Sequence, residues 1–303
     1  MILKNLYESD ELLAMRYLNT RMELTDQEKF QYLNLEKGFE GEKKFDQMAE
    51  LLKEERYIIN SLLLKVSNSH FQLDKLIISQ GGIHLLDIKN FQGDFYIKDN
   101  KFIAVKTDRE WKNPFDQLKR SSLLFRQLLQ NLKLNYLVEP LVIFINPEFT
   151  LYQAPMDLPA IFPTQVDKFL KSIDNTPSKL NDGHKKLAQQ LLSLHQTKNP
   201  FTVIPEYNYD QLSKGPYCKY CNSFQVSVEN HELVCRDCGE HEKVELAIVR
   251  HVEEFKLLFP DRKITTIAIF EWCNPGLSKK TLCRILKRHY TTFGNTRNTY
   301  YIQ

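Results

Sequence analysis

Two Cys-x-x-Cys pairs near the carboxyl end constrain the fold of this chain more than any other feature of its sequence. Cys218 and Cys221 form the first pair, Cys235 and Cys238 form the second, and thirteen residues separate the pairs. Each pair places two thiolates on one tight turn, and four thiolates suit the tetrahedral coordination of Zn2+. The intervening residues alternate as two short strands around a turn at 229–231. The pattern therefore predicts a zinc ribbon.

The predicted zinc ion is structural. Four protein ligands leave no open coordination position for water, which argues against a zinc-dependent hydrolase. A redox dithiol is the alternative for a single Cys-x-x-Cys pair, but two matched pairs at hairpin spacing favour a metal site. Gly239 follows the second pair, where a left-handed backbone conformation is often needed.

Composition narrows the class of protein. The 303 residues are 42% hydrophobic and 26% charged, which excludes a disordered chain. No run approaches the roughly 18 apolar residues that a membrane span requires. The first residues turn acidic from Glu8, where a signal peptide would need an apolar core. We therefore expect a soluble, cytoplasmic protein with no membrane partner.

Basic residues are concentrated in the last forty residues. The whole chain has a net charge of +3, whereas residues 264–303 have only Glu271 as an acidic residue. The basic residues of this segment are Lys279, Lys280, Arg284, Lys287, Arg288 and Arg297. A basic block on a near-neutral chain indicates a polyanionic partner, although charge alone is equally compatible with a solvated helix face.

Hydrophobic periodicity predicts a mixed α/β domain in the first half of the chain. Its predicted elements are a helical segment over 1–36, a helix over 38–56, strands over 57–66, 70–79 and 83–89, a hairpin of 95–98 with 102–105, a helix over 114–134 and a strand over 141–145. Residues 166–205 are predicted to form a polar helical connector.

Three charged residues interrupt the apolar strands of this domain. Asp74 lies in the second strand, and Asp87 and Lys89 lie in the third, across the Gly81-Gly82 turn. Residues two apart on a strand share a face, so pairing of the two strands would bring both carboxylates and the lysine together. Such oxygen ligands suit Mg2+ or Mn2+ beside a substrate phosphate. The alternative is a same-face ion pair with an unrelated surface aspartate.

Four motifs occur in an order that resembles the nuclease-related domain (NERD) family of the PD-(D/E)xK nuclease-like superfamily. They are Gly41-Glu42 on the opening helix, Leu73-Asp74-Lys75-Leu76, the strand from Gly82-Ile83 through Asp87-Ile88-Lys89 to Gly93, and Asn113-Pro114-Phe115-Asp116-Gln117. The resemblance covers roughly residues 38–145. Leu73 replaces the proline of the superfamily name, and Asp87 stands where glutamate is commoner.

The resemblance implies roles for individual residues. Asp74 and Asp87 would ligate Mg2+ or Mn2+, with the Ile88 carbonyl as a further ligand, and Lys89 would be the catalytic lysine. Glu42 would be an acid beside the metal or linked to it, and Gln117 would face the site from its helix. A capping or solvated position remains the alternative for Glu42 and Gln117.

The C-terminal segment resembles a helix-turn-helix or winged-helix module. A helix over 264–273, a turn at Asn274-Pro275-Gly276 and a helix from Lys279 capped by Ser278 precede a possible strand over 296–302. The predicted DNA contacts are Lys279, Lys280, Arg284, Lys287 and Arg288. A small helical bundle that caps the ribbon is the alternative.

Together these patterns predict an α/β fold: a PD-(D/E)xK nuclease-like mixed sheet flanked by helices, a four-cysteine zinc ribbon and a winged-helix-like helical unit. The predicted segments are a helical extension (1–36), the nuclease-like domain (37–165), a connector (166–211), the ribbon (212–243) and the basic domain (244–303). The expected function is Mg2+-dependent hydrolysis of DNA, with a homodimer as the candidate oligomeric state. The alternative is a non-catalytic DNA-binding or adaptor protein that keeps the nuclease fold as a scaffold.

Overall fold

The computed structural model describes residues 1–274, 276–295 and 299–302. Its strands are β1 (Ile2–Lys4), β2 (Tyr57–Val66), β3 (Ser69–Ser79), β4 (Gly82–Lys89), β5 (Gly93–Lys98), β6 (Lys101–Ala104), β7 (Glu110–Trp111), β8 (Val138–Phe144), β9 (Phe149–Tyr152), β10 (Ala160–Ile161), β11 (Val226–Glu229), β12 (Glu232–Cys235), β13 (His241–Lys243), β14 (Thr291–Phe293) and β15 (Tyr300–Ile302). Its helices are α1 (Asp10–Arg21), α2 (Asp26–Ala49), α3 (Pro114–Asn131), α4 (Val166–Asp174), α5 (Asp182–Ser193), α6 (Val244–Leu258), α7 (Thr266–Cys273) and α8 (Lys279–His289).

The chain forms two compact units. The first contains residues 1–8 and 33–202, and the second contains residues 9–32 and 203–303. The predicted boundary between residues 36 and 37 falls inside α2.

Two sheets build the first unit. The larger has the strand order β1-β2-β3-β4-β8-β10, and the smaller has the order β7-β6-β5-β9. β2, β3 and β4 run antiparallel, whereas β4 pairs with β8 in parallel. The carboxyl ends of β4 and β8 therefore lie at one edge, which is where ligands commonly bind in sheets with parallel strands.

Apolar side chains cover both faces of the larger sheet. Phe45 of α2 packs with Ile77, Leu86 and Ile143 on one face, in a cluster that also contains Leu170 of α4. On the opposite face, α3, α5 and the aromatic residues of the smaller sheet form the second cluster. The larger sheet is thus a central layer with helices on both sides, and the prediction of a mixed α/β fold is confirmed.

Three predictions about residues 1–205 were wrong in detail. Residues 1–36 are not wholly helical, because Ile2 pairs with Ile58 and makes β1 an edge strand, too short to show periodicity. The helix predicted over 38–56 is the second half of α2 and ends at Ala49. The segment predicted as a polar helical connector over 166–205 does contain two helices, but their apolar sides pack on the sheet and make them part of the first unit.

In the second unit, the four cysteines lie at one end of a three-stranded sheet. β11 and β12 form an antiparallel hairpin, and β13 adds to β12. Asn230 and His231 both have a positive φ, 47° and 69°, as a two-residue hairpin turn requires. Gly239 has a φ of 74°, which confirms the left-handed conformation expected after the second cysteine pair.

Three helices and a hairpin follow the ribbon. α6, α7 and α8 pack together, and β14 pairs with β15 in antiparallel fashion. Ile264, just before α7, makes an antiparallel bridge to Tyr301 of β15. The order of elements here is therefore a helix, a short extended segment, two helices and a hairpin. Pro275, Arg297 and the first part of the strand predicted over 296–302 lie outside the described residues.

Among the helices of residues 1–274, 276–295 and 299–302, none combines the length and apolar character that a membrane crossing needs.

Candidate active site and metal centre

Two aspartates meet where β3 and β4 stop pairing. The last pair of that ladder is Lys75 with Leu86, so Asp74 stands opposite Asp87 one step further along. There the Oδ2 atom of Asp74 accepts a hydrogen bond of 2.8 Å from the backbone amide of Ile88. This bond fixes the Asp74 carboxylate against β4.

A lysine and a glutamine complete the cluster from β4 and α3. The Nζ atom of Lys89 lies 3.0 Å from Oδ1 and 2.9 Å from Oδ2 of Asp87. Gln117 donates to Oδ1 of Asp87 over 3.2 Å, and its own Oε1 lies 3.5 Å from Lys89 Nζ. Asn113 caps α3 by accepting from the Phe115 amide, and Pro114 follows at the first helical position, which sets where Gln117 points. The structure thus brings four of the predicted residues together.

Glu42 reaches the same cluster from α2. Its neighbour Gly41 faces Asn90, the residue after Lys89, so closely that an added Cβ would lie 2.6 Å from Asn90 Cβ. The side-chain amide of Asn90 donates to the Lys37 carbonyl over 2.7 Å, which ties the end of β4 to α2. A glycine at position 41 is therefore what lets Glu42 approach the aspartates and Lys89.

This cluster contains more carboxyl groups than ammonium groups. Burial, with the charge of Asp74, raises the pKa of Glu42 to about 8. Burial, with the charge of Asp87, raises the pKa of Asp74 to about 7. Burial alone would lower the pKa of Lys89, but the charges of Asp87, Asp74 and Glu42 outweigh it and raise that pKa. Three carboxyl groups thus surround Lys89, and the nearby Lys75 is already paired with Asp46, so a further cation would stabilise the cluster.

The donor set fits a hard divalent cation. The Asp87 carboxylate is buried, and the Lys89 ammonium is shared between its two oxygens, at 3.0 Å from Oδ1 and 2.9 Å from Oδ2, so each oxygen keeps a lone pair for a metal. A carboxylate oxygen in that condition, next to a second carboxylate, matches the ligands that Mg2+ and Mn2+ take from proteins. The residues placed to hold such an ion are Asp74, Asp87 and the adjoining Ile88 carbonyl.

The sequence analysis missed a second polar cluster beside Glu42. Lys75 is buried on the other face of β3 and forms an ion pair with Asp46, four residues after Glu42 on α2. The side-chain amide of Asn60 donates to the same Asp46 carboxylate over 3.0 Å. The sequence did offer a signal for this cluster, because Lys75 and Asn60 are polar residues inside otherwise apolar strands. This cluster anchors α2 to the sheet one helical turn from Glu42.

The four cysteine sulfurs of the ribbon lie within 4.8 Å of one another. The Sγ atoms of Cys218 and Cys238 are 3.6 Å apart, and those of Cys221 and Cys235 are 3.5 Å apart. Sulfurs at about 2.3 Å from a tetrahedral zinc ion stand roughly 3.8 Å from each other, so the cluster fits zinc. Hydrogen bonds from the backbone amides of Cys238 and Asp237 lower the pKa of the Cys235 thiol to about 7, whereas the pKa values of the Cys221 and Cys238 thiols are raised beside the other sulfurs, so a bound cation is what would keep all four as thiolates.

The predicted DNA-contacting side chains are all exposed on α8 but are not equivalent. Lys280, Arg284 and Lys287 lie on the face opposite the buried core of that helix, following its 3.6-residue repeat. Lys279 places its Nζ atom 5.0 Å from the centre of the Phe270 ring. Arg288 is paired with Glu245 of α6 through two hydrogen bonds of 2.7 and 2.8 Å.

Comparison with known proteins identifies the domain that contains the acidic cluster. The family model of the nuclease-related domain (NERD) matches residues 37–145, a little over a third of the chain. This span includes every member of the Glu42, Asp74, Asp87, Lys89 and Gln117 cluster. Searches of the curated proteins and of the solved structures each returned no significant match.

Proposed function

Because residues 37–145 are a nuclease-related domain, we propose that this protein is a Mg2+- or Mn2+-dependent nuclease that hydrolyses phosphodiester bonds of DNA. The observation that carries the proposal is the convergence of Asp74, Asp87, Lys89 and Gln117 at one edge of the sheet. A scaffold with no chemistry has no need for carboxyl groups that are this buried and this short of positive charge.

Each residue has a distinct task in this proposal. Asp74 and Asp87, with the Ile88 carbonyl, hold the cation, whose chemistry when bound is to lower the pKa of water and to neutralise phosphate charge. Lys89 presents its ammonium group beside Asp87, where it orients the attacking water or offsets charge on the phosphate. Gln117 contacts both Asp87 and Lys89 and keeps their side chains in one arrangement.

Glu42 adds a third carboxyl group to the cluster from α2. Its pKa of about 8 reflects burial next to other carboxyl groups. A cation held between Asp74 and Asp87 would favour the ionised form of Glu42, which could then accept a hydrogen bond from water in the site. Glu42 is therefore proposed as an acid linked to the metal, and not as a capping residue.

The second unit is proposed to supply nucleic-acid binding. Support comes from the basic face of α8, formed by Lys280, Arg284 and Lys287, in an arrangement of three helices and a hairpin. Basic side chains on such a helix contact phosphates and base edges, which gives affinity that falls with salt. The zinc ribbon would support this unit as a structural element.

The test is cleavage of linear, circular and single-stranded DNA by the full chain, with Mg2+, with Mn2+ and without added divalent metal. We expect metal-dependent cleavage that Asp87→Asn and Lys89→Ala each reduce at least a hundredfold. Asp94→Asn and Lys98→Ala, which change exposed residues of β5 in the same domain, are the matched controls and should cleave like the wild type.

A second measurement separates catalysis from binding. Salt-sensitive retention of DNA should survive in Asp87→Asn, because that variant leaves α8 unchanged. Wild-type protein that binds DNA but cleaves none of the three substrates with either metal would overturn the nuclease proposal. That result would favour the non-catalytic DNA-binding protein instead.

A further inference from the structure

The hairpin β14–β15 buries Tyr301 on one face, and the described residues leave its other face open. Tyr301 points inward with 2% of its surface exposed, and its hydroxyl lies 3.0 Å from Thr266 Oγ1. Side chains alternate along a strand, so Phe293, Tyr300 and Ile302 lie on the opposite face. Phe293 is 43% exposed and Ile302 is 45% exposed.

The open face carries a stacked aromatic pair. Phe293 and Tyr300 are direct partners in the register of the hairpin. Their ring centres are 5.8 Å apart with an angle of 23° between the planes. Lys263 places its ammonium 4.7 Å from the centre of the Tyr300 ring. The face therefore combines flat aromatic surface with a positive charge at its edge.

We propose that the Phe293–Tyr300 face binds single-stranded DNA by stacking unpaired bases, with Lys263 at the adjoining phosphate. This inference rests on the proposed function and deepens it, because it makes DNA with an unpaired strand the preferred substrate. Base stacking on aromatic side chains contributes substantially to affinity and tolerates any base sequence, since every base has a flat π-face.

Charge identifies nucleic acid as the occupant in preference to another protein surface. Among the described residues from Lys263 to Ile302, six are lysine or arginine and only Glu271 is acidic. α8, with its basic face, leads into β14 through Tyr290 alone. A DNA strand whose sugar–phosphate backbone is bound along α8 would therefore continue towards the hairpin. Exposed rings next to a basic groove are the arrangement that single-strand binding proteins use.

The experiment measures binding of the full chain to a fluorescent 20-nucleotide single strand and to a blunt duplex of the same sequence, without added divalent metal. Phe293→Leu keeps an apolar side chain but removes the ring, and Phe293→Trp enlarges it. Phe201→Ala changes an aromatic residue that is 51% exposed outside this hairpin and is the matched control. Size-exclusion chromatography of each variant reports its oligomeric state.

We expect Phe293→Leu to weaken single-strand binding about tenfold, within the range that removal of one stacking ring produces. Phe293→Trp should bind the single strand at least as well as the wild type, and its added tryptophan fluorescence should be quenched on binding. Duplex affinity should change by less than about twofold in both variants, and Phe201→Ala should match the wild type.

Three results would overturn the inference. The first is unchanged single-strand binding in Phe293→Leu, and the second is an equal loss of affinity for the single strand and the duplex in that variant. The third is a difference in oligomeric state between Phe293→Leu and the wild type, which would mean that a second copy of the chain covers the face. The cleavage assay with Asp87→Asn decides the proposed nuclease function separately. Metal-dependent cleavage together with any of these three results would disprove the stacking of bases on this face and leave the proposed nuclease function standing.

Discussion

Gly41 on α2 packs directly against Asn90 at the end of β4, where an added Cβ would come within 2.6 Å of Asn90 Cβ and 3.2 Å of Ile145 Cγ2. These neighbours belong to the ends of β4 and β8, which cannot move without disturbing the sheet. The contact sets the distance between α2 and the sheet, and therefore the position of Glu42 beside Asp74 and Lys89.

Gly41→Ala is expected to lower DNA cleavage at least tenfold, because α2 must move away from Asn90 and take Glu42 with it. Alanine favours a helix over glycine by up to about 1 kcal/mol, so the local clash must overcome that gain. The control is Gly38→Ala, where an added Cβ meets no atom within 4 Å. Gly38→Ala should raise the melting temperature slightly and leave cleavage unchanged. Equal cleavage by both variants would show that the spacing of α2 is not critical.

A buried ion pair should make the second unit sensitive to acid. Arg21 of α1 bonds to both carboxylate oxygens of Glu254 on α6, at 2.6 and 2.8 Å, and His251 Nδ1 lies 2.9 Å from the same carboxylate. Burial lowers the pKa of His251 below its ordinary 6.5. Burial would raise the pKa of Glu254, but the bonds from Arg21 and His251 outweigh it and lower that pKa below 4.5. Both groups therefore bind fewer protons in the folded state than in the unfolded state. The free energy of unfolding consequently decreases as the pH is lowered.

We expect the free energy of unfolding to decline from about pH 6.5 as His251 protonates in the unfolded chain, and to decline again below about pH 4.5 because of Glu254. Trp272 is fully buried 4.0 Å from the Arg21 guanidinium, so its fluorescence reports on this unit once Trp111 is replaced by phenylalanine. His251→Gln should flatten the slope between pH 7 and pH 5.5, whereas the exposed His231→Gln should not. An identical slope in wild type and His251→Gln would contradict this assignment.

The basic residues of α8 should contribute unequally to DNA binding. Arg284 makes no ion pair with any described residue, whereas Arg288 is already held by Glu245. Arg284→Ala should therefore weaken binding several-fold and reduce the salt dependence by about one ion, and Arg288→Ala should have a smaller effect. Glu245→Gln should tighten binding by freeing Arg288 for phosphate.

Affinity measured between 50 and 200 mM salt tests this ranking. Glu23→Gln removes the same charge from an exposed position of the second unit and is the control for Glu245→Gln. A larger loss in Arg288→Ala than in Arg284→Ala would reverse the assignment and place the DNA on the α6 side of α8.

Zinc should be bound at one ion per chain and should be necessary for the ribbon. Cys221→Ser removes one of four sulfurs that lie within 4.8 Å of one another, so we expect the zinc content measured by mass spectrometry to fall well below one. Because a structural zinc ion is bound only by the folded site, the variant should also melt earlier. Cys283→Ser lies outside the cluster and should keep its zinc. A full zinc content in Cys221→Ser would remove this residue from the ligand set.

Local pattern was enough to predict much of the fold. The hairpin of the ribbon follows from the spacing of its cysteines, Cys218, Cys221, Cys235 and Cys238. Both pairs must present their sulfurs to the same metal position, so the residues between the pairs must fold back on themselves. Apolar, β-branched runs predicted the strands β2, β3 and β4, the Gly81-Gly82 turn predicted the hairpin of β3 with β4, and the Asn113-Pro114 start predicted α3. Asp87 and Lys89 share a face because they are two residues apart, which is a property of any strand.

The sequence by itself therefore determined the strands β2, β3, β4 and β8, the helix α3, the cysteine cluster and the order of the nuclease-related motifs. Tertiary structure alone decided how closely α2 approaches β4 at Gly41, how α4 and α5 cover the sheet, and that Glu245 takes Arg288. These contacts join residues that are dozens of positions apart, so no local periodicity records them. They depend on which surfaces remain to be covered once each helix and strand has formed, and that is settled only when the elements pack together.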